Sequence, residues 1–395
     1  MEVTGKIILK KGKSLSIERK HPWIFSGAIA SHEGSTRDGS WVEVADHAGN
    51  KLGFGHYQNG SISVRILSFE NKAPNSEFYR KRLLRALSVR QSAGLPSPST
   101  NAFRLVHAEG DGLPGLIIDV YDTTAVVQAH SAGMHNDRVL IAEAAGEVLG
   151  SRCTAVYYRN QLSLPGKQRP DMPDEYLIGS ATVPCEIREY DSLFLVDWVG
   201  GQKTGFFLDQ RENRMLLRSF SRDREVLNTF CYTGGFSVAA LLGGAKLVHS
   251  VDVSEKAIQL TRSNLELNGF DSSIHECTTI DTFEFLKDKH NRYDVIILDP
   301  PAFAKHRDAR HQAVKGYQRL NAEAFRVIRP GGIVFTFSCS QVVDRQLFYD
   351  TVRSAAIQAD RQIRVLHHLS QPPDHPVSLF HPEGEYLKGL VLYVE

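Results

Sequence analysis

Residues 226–237 read Val-Leu-Asn-Thr-Phe-Cys-Tyr-Thr-Gly-Gly-Phe-Ser, and an apolar stretch then leads to Leu-Val-His-Ser-Val-Asp at 247–252. The grammar is a buried strand, a tight turn at Gly234-Gly235, a helix, and a second strand ending in Asp252. Adjacent glycines let the backbone approach a ligand closely and feed a helix N-terminus, whose free N–H groups favour an anionic group. A carboxylate at the end of the second strand can accept hydrogen bonds from two ribose hydroxyls. A dinucleotide site would show G-x-G-x-x-G. That spacing is absent here, and the turn Phe230, Tyr232, Thr233, Gly234, Gly235 suits a nucleoside with an amino-acid tail better.

Working outward, the alternation continues. Strands are predicted at Val226–Asn228, Leu247–Asp252, Ser273–Cys277, Val295–Asp299 and Ile333–Ser338. Helices are predicted near Phe236–Leu242, Glu255–Asn268, Thr282–Lys289, Val314–Ile328 and Arg345–Gln358, with Gly269 and Gly331-Gly332 as helix stops. Such alternation predicts an α/β domain with a parallel sheet covered on both faces. Ligands of these sheets bind at the carboxyl ends of the strands. The residues to inspect are therefore Phe230–Phe236, Asp252, Asp281, Asp299–Phe303 and Cys339. Asp281 can bind an adenine amino group, or cap the helix that follows it.

Asp299-Pro300-Pro301 closes one strand. The prolines fix the turn and remove two backbone donors. A carboxylic acid above the sheet can bond a cytosine ring nitrogen and its exocyclic amine. Amino-group methylases use a related turn, so a guanine-nitrogen methyltransferase without a covalent intermediate is the alternative reading. Cys339 separates the two. Carbon 5 of cytosine is not nucleophilic until a nucleophile has added to carbon 6, and a thiolate both adds and leaves readily. Cys339 ends a strand between Ser338 and Ser340, a polar place for a cysteine that only packs. S-adenosylmethionine is the expected cofactor and a cytosine of RNA the expected target.

The rest of the chain bounds this reading. Its 395 residues predict two or three domains. No run of eighteen apolar residues and no signal-peptide pattern is present, which predicts a cytoplasmic protein away from membranes. The five cysteines are scattered without a C-x-x-C pair, so neither a zinc site nor a disulfide framework is indicated. Net charge is +1, but Lys6, Lys10, Lys11, Lys13, Arg19 and Lys20 face only Glu18 within residues 6–20. A second basic stripe is Arg80, Lys81, Arg82, Arg85 and Arg90. Either can supply phosphate contacts or be a solvated face.

Residues 1–70 read as a small β-barrel with strands at Lys6–Leu9, Ser40–Ala45, Lys51–Tyr57 and Ser63–Leu67, and a hairpin turn at Asp46–Asn50. Trp23 and Phe25 beside the first basic stripe suit RNA, where rings stack bases, unless they are simply core. Roughly 75–185 reads as an α+β domain. It has a helix at Glu77–Ala93, a hairpin around 109–115, a strand at Thr124–Gln128, a helix at Asn136–Leu149, a strand at Ala155–Tyr158 and a polar loop at 160–173. The α/β domain, expected to be an S-adenosylmethionine-dependent methyltransferase, begins near 190.

The motifs resemble the RlmI-type ribosomal RNA large-subunit cytosine-5 methyltransferases over nearly the full length. The carrying stretches are His21–Gly27, Gly110–Gly115, Lys203–Arg211, Phe230–Phe236, Asp299-Pro300-Pro301, Thr336–Ser340, Asp374-His375-Pro376 and Pro382-Glu383-Gly384. The resemblance implies an N-terminal PUA domain that binds RNA, a central α+β domain and a Rossmann-like C-terminal domain. It implies S-adenosylmethionine as methyl donor and 23S rRNA as substrate; because the target base must leave its stack to reach Cys339, RNA before ribosome assembly is the expected form. Cys339 looks like the nucleophile and Asp299 like the acid that orients the base at the cofactor's edge. Gln210 and Arg211 look like part of a cofactor lid, with Asp252 and Asp281 on ribose and adenine. RNA contacts are expected from Lys10, Lys11, Lys13, Arg19, Lys20 and Trp23. A homodimer is left open. Family members often carry Lys after Asp-Pro-Pro; here it is Ala302, with Lys305 one turn on.

Overall fold

The computed structural model describes residues 1–160, 173–287, 290–304 and 307–395. Most of the expected polar loop at 160–173, the end of the helix expected to reach Lys289, and Lys305 lie outside the described residues. The chain divides into two compact units. One holds residues 1–187, 196–206 and 373–384; the other holds 188–195, 207–372 and 385–395.

The first unit opens with β1 (Val3–Leu9), the short helix α1 (Leu15–Glu18), β2 (Trp23–Phe25), β3 (Ile29–Gly34), β4 (Trp41–Ala45), β5 (Lys51–Tyr57) and β6 (Ile62–Ser68). They form one sheet in the order β2-β6-β5-β4-β1-β3. Its core is Ile7, Leu9, Ile17, Ile24, Val42, Val44, Val64 and Ile66. The turn at Asp46 forms because its Oδ1 accepts from the N–H of Ala48 at 2.9 Å and of Asn50 at 2.8 Å. Strands β2 and β3 are not among the four expected. Strand β2 is only three residues long and β3 is exposed at all but Ile29, so no apolar alternation marks them.

Next come α2 (Phe78–Ser92), β7 (Ala102–His107), β8 (Leu116–Tyr121), β9 (Thr124–Ala129), α3 (Ala132–Asn136), α4 (Arg138–Leu149), β10 (Ala155–Tyr158) and β11 (Glu175–Ile178). The five strands lie in sequence order. One helix was expected over Asn136–Leu149; two form, and Asp137 stands between them. Its Oδ2 accepts from Tyr79 Oη at 2.6 Å and Trp41 Nε1 at 2.9 Å, and faces His56 Nε2 at 3.1 Å. The second basic stripe is not an even solvated face. Arg90 is wholly buried, ion-paired to Asp111, and donates to the Asp374 carbonyl at 2.8 Å.

A two-stranded ribbon, β12 (Cys185–Glu189) and β13 (Ser192–Val196), precedes the second large sheet. The chain continues through α5 (Arg211–Arg218), β14 (Glu225–Thr229), α6 (Gly235–Leu242), β15 (Leu247–Asp252), α7 (Glu255–Leu267), β16 (His275–Thr279), α8 (Thr282–Leu286) and β17 (Tyr293–Leu298). It ends with α9 (Arg310–Val327), β18 (Ile328–Ser338), α10 (Arg345–Ala359), β19 (Ile363–Ser370) and β20 (Lys388–Val394). The strand order is β16-β15-β14-β17-β18-β20-β19. The first five strands are parallel, as the alternation predicts. The last two are antiparallel, so the sheet is mixed. The register pairs Thr229 with Leu298, Leu298 with Thr336, and Asp252 with Thr279. The turns that follow β14, β15, β16, β17 and β18 therefore open on one edge. Among the described residues no helix is long and apolar enough to cross a membrane.

Candidate active site

The turn after β14 is held in unusual backbone geometry. Phe230, Tyr232 and Gly234 have φ of 53°, 48° and 75°. Two non-glycine residues in the left-handed region cost about 1–3 kcal/mol each, and such strain collects at ligand sites. Helix α7 fixes the turn from behind. Thr261 Oγ1 donates to the Tyr232 carbonyl at 3.0 Å, and Asn264 Nδ2 donates to the Thr233 carbonyl at 2.8 Å. Gly234 is required by space as well as by φ, since a Cβ there would lie 2.7 Å from Thr261 Cγ2. Asn228 Nδ2 donates to Ser237 Oγ at 2.8 Å, which pins the start of α6 to β14.

Asp252 ends β15 beside this turn. Its Oδ2 accepts from the Tyr232 N–H at 3.0 Å and its Oδ1 from the Ser254 N–H at 2.9 Å. These bonds aim the carboxylate, and each carboxylate oxygen retains acceptor capacity for a further donor. Asp281 accepts from the N–H groups of Phe283 and Glu284 at 2.9 and 3.2 Å, so it is the N-cap of α8. Gln210 and Arg211 start α5 and are both buried. Arg211 Nε lies 3.6 Å from Glu189 Oε2, and Asn213 Nδ2 donates to Gln210 Oε1 at 2.6 Å. The Arg211 side chain is wholly buried and Gln210 nearly so.

The structure brings the turn after β17 against the turn after β18. Ser340 Oγ donates to the Ala304 carbonyl at 2.7 Å. Cys339, Ser340, Gln341, Ala302, Ala304 and Tyr386 line one open pocket. Tyr386 was not singled out by the sequence. It comes from the segment before β20, and its hydroxyl donates to Asp209 Oδ2 at 2.6 Å. The signal lay in Leu208-Asp209-Gln210, where a buried carboxylate needs a donor. Beneath the pocket, Tyr317 on α9 packs its ring 4.7 Å from Phe303. Burial pushes its hydroxyl up to about 12, and Cys339 and Asp299 add to the shift.

All five cysteines are free. Cys231 is 6 % exposed, its Sγ sits 3.6 Å from Thr261 Oγ1, and burial pushes its thiol far up. Burial likewise raises Cys153, Cys185 and Cys277. Cys339 lines the pocket described above.

In the first unit Lys10, Lys11, Lys13, Arg19 and Lys20 are all exposed. Trp23 is not a free stacking ring: Nε1 donates to Glu109 Oε1 at 2.9 Å, and the ring meets His381 edge-on at 4.4 Å. Phe25, 49 % exposed, is the open aromatic of that segment. His21, His381 and Glu383 bring ligand-type atoms within 4.8 Å of one another. His21 Nδ1 accepts from the Trp23 N–H at 3.2 Å, which leaves the proton of a neutral ring on Nε2, the atom 3.7 Å from Glu383. That tautomer suits a hydrogen-bonded cluster better than ligation through Nε2.

The fold and the turns agree with what the chain is similar to. A family model described as S-adenosylmethionine-dependent methyltransferase matches residues 141–385, and one described as a PUA-like domain matches residues 7–69. A curated relative from Klebsiella pneumoniae, ribosomal RNA large subunit methyltransferase I, is 38 % identical over 401 residues, covering 98 % of each chain. The protein of that name from Aeromonas hydrophila is 39 % identical over 397 residues, covering 99 % of each. A solved structure named as a methyltransferase and complexed with SAH has a TM-score of 0.84 at 23 % identity, covering 98 % of this chain and 100 % of its own, which establishes a shared fold. With the strained turn, the aimed Asp252 and these matches in hand, the chain belongs to the ribosomal RNA large subunit methyltransferase I family of S-adenosylmethionine-dependent methyltransferases.

Proposed function

We propose that this enzyme methylates carbon 5 of a cytosine in 23S ribosomal RNA through a covalent adduct of Cys339. The observation that carries the reading is Cys339 itself. It is a cysteine at a strand end, lining an open pocket with the turn that follows Asp299-Pro300-Pro301. The relatives' name supports ribosomal RNA of the large subunit as substrate.

Phe230, Tyr232, Thr233, Gly234 and Gly235 would hold the cofactor's amino-acid tail, Asp252 its ribose and Asp281 its adenine. Asp281 would do this with the oxygen capacity left over from capping α8. When bound, S-adenosylmethionine supplies an electrophilic methyl group. Asp299 hydrogen-bonds the ring nitrogen and exocyclic amine of the cytosine and orients it. The Cys339 thiolate forms a bond to carbon 6, and the electron pair of the 5,6 double bond makes carbon 5 nucleophilic. Once carbon 5 carries the methyl group, its proton leaves to a base. The double bond re-forms and the thiolate is expelled. The base must leave its stack to reach Cys339, which favours RNA not yet folded into the ribosome. Lys10, Lys11, Lys13, Arg19 and Lys20 supply phosphate contacts from the PUA-like domain.

The test is methyl transfer from labelled S-adenosylmethionine to unmethylated 23S rRNA, with nucleoside analysis, for the parent and Cys339→Ala. Label in 5-methylcytidine that vanishes in the variant supports substrate class and nucleophile together. Label in a methylguanosine, unchanged in the variant, overturns the chemistry and leaves the fold and cofactor standing.

A further inference from the structure

Lys388 begins β20, and the register sets it directly opposite Ser338, the residue before Cys339. A lysine is seldom buried without a carboxylate partner. This one is 5 % exposed, and its Nζ donates to two neutral carbonyls, Ser340 O and Val343 O, each at 2.7 Å. Both acceptors lie on the turn that carries Cys339. The nearby acids are otherwise occupied. Glu385 accepts from Arg345 Nε at 3.1 Å. Asp344 caps α10 through the Leu347 N–H at 2.8 Å and faces Arg310 Nη2 at 3.6 Å. Arg345 and His368 line a cavity together with Lys388 and bring no negative charge. The anion best placed to compensate this ammonium is therefore the thiolate of Cys339.

We infer that Lys388 is a positioning residue for Cys339: its two hydrogen bonds fix the turn after β18, and its buried ammonium stabilises the Cys339 thiolate. The role rests on the reading of Cys339 as nucleophile. Burial pulls the lysine down to about 8, and Cys339, Glu385 and Asp344 act in the opposite sense, against Arg345. The pairing is reciprocal: a charge that favours the thiolate is itself favoured by it. The sequence hides this residue, because nothing local in Leu387-Lys388-Gly389-Leu390 marks the lysine as buried.

The experiment is alkylation of each cysteine by iodoacetamide across pH 5.5–10, read peptide by peptide by mass spectrometry on the full chain without RNA or cofactor. The variants are Lys388→Met, which removes charge and donors, and Lys388→Gln, which keeps a donor and removes charge. The Cys339 curve of the parent is expected about one pH unit or more below the ordinary thiol value of about 8.5. Each variant is expected to move it up by about one unit, roughly a tenfold loss of thiolate near neutrality, while Cys277 does not move. A parent curve at or above the ordinary value overturns the inference, and this needs no variant to fold. So does a Lys388→Gln curve that coincides with the parent's. No RNA takes part, so failure here is distinct from failure of the methyl-transfer assay with Cys339→Ala.

Discussion

Ser340 Oγ donates a 2.7 Å hydrogen bond to the carbonyl oxygen of Ala304, and so ties the turn bearing Cys339 to the turn that follows Asp299-Pro300-Pro301. In the proposed mechanism the nucleophile and the base-orienting acid come from different strands, and this buried bond spans their turns. Ser340→Ala leaves the Ala304 carbonyl without that partner, at about 1 kcal/mol of stability. The expected larger effect is on rate, because small misplacements of reacting groups cost as much as a hundredfold. Methyl transfer should fall by about 10- to 100-fold with S-adenosylmethionine affinity unchanged. Calorimetry and single-turnover assays check this, and an unaltered rate would remove the strut from the mechanism.

Gly234 and Gly269 have nearly the same φ, 75° and 76°, but different surroundings. A Cβ at Gly234 meets Thr261 Cγ2 at 2.7 Å, and one at Gly269 meets nothing within 4 Å. Gly269→Ala should cost about 1 kcal/mol, the backbone term alone. Gly234→Ala should cost about 1–3 kcal/mol more, for overpacking. It should also weaken cofactor binding. Thermal unfolding of the two variants side by side is the measurement, and equal midpoints would contradict the steric account.

Asp252→Ala removes the acceptor that Tyr232 and Ser254 aim. Hydrogen bonds to a charged group contribute about 1.5–3 kcal/mol. The dissociation constant for S-adenosylmethionine should rise by about 10- to 100-fold. An unchanged value in calorimetry would place the ribose elsewhere.

Lys10, Lys11 and Lys13 are exposed on the PUA-like domain. If each meets one phosphate, affinity for single-stranded RNA falls with salt at a slope of about −0.7 per contact. The triple alanine variant should flatten the slope by about 2. A slope equal to the parent's would move the RNA path off this stripe.

His107 in the first unit is held well below the usual histidine range by burial first, then by Arg104, His375 and Arg90. Arg104 Nη1 lies 3.2 Å from its Nδ1, which favours the neutral ring. Because the folded value lies below the unfolded one, the unfolded chain takes up a proton first as pH falls below about 6.5. Stability should therefore decline on acidification through that window, by at most about 1.4 kcal/mol per pH unit from this group. His107→Gln should flatten the decline between pH 6.5 and 5 in denaturant titrations. An identical pH dependence would assign the effect to other groups.

Leu247–Asp252 and Ala155–Tyr158 were legible to the residue, because a buried parallel strand is a short apolar run bounded by polar ends. Strands β19 and β20 were not. Ile363–Ser370 is mostly exposed and carries His367 and His368, so its apolar content alone does not mark a strand. It exists because β20 offers it a partner, which is a tertiary fact.

The sequence by itself determined the α/β alternation, the Gly-Gly turn with Asp252, and the presence of Asp299 and Cys339 at strand ends. Each of these is a local pattern, set by strand and helix periodicity and by residues within one turn of one another. Only the tertiary structure decided which residues share the pocket. It placed Tyr386, Ala302 and Cys339 on one wall, closed Arg211 into the interior, and set a buried ammonium from Lys388 on the Cys339 turn. The last of these depends on a register between strands about fifty residues apart in sequence. No local propensity encodes a register; burial of one sheet face and pairing of the backbone fix it.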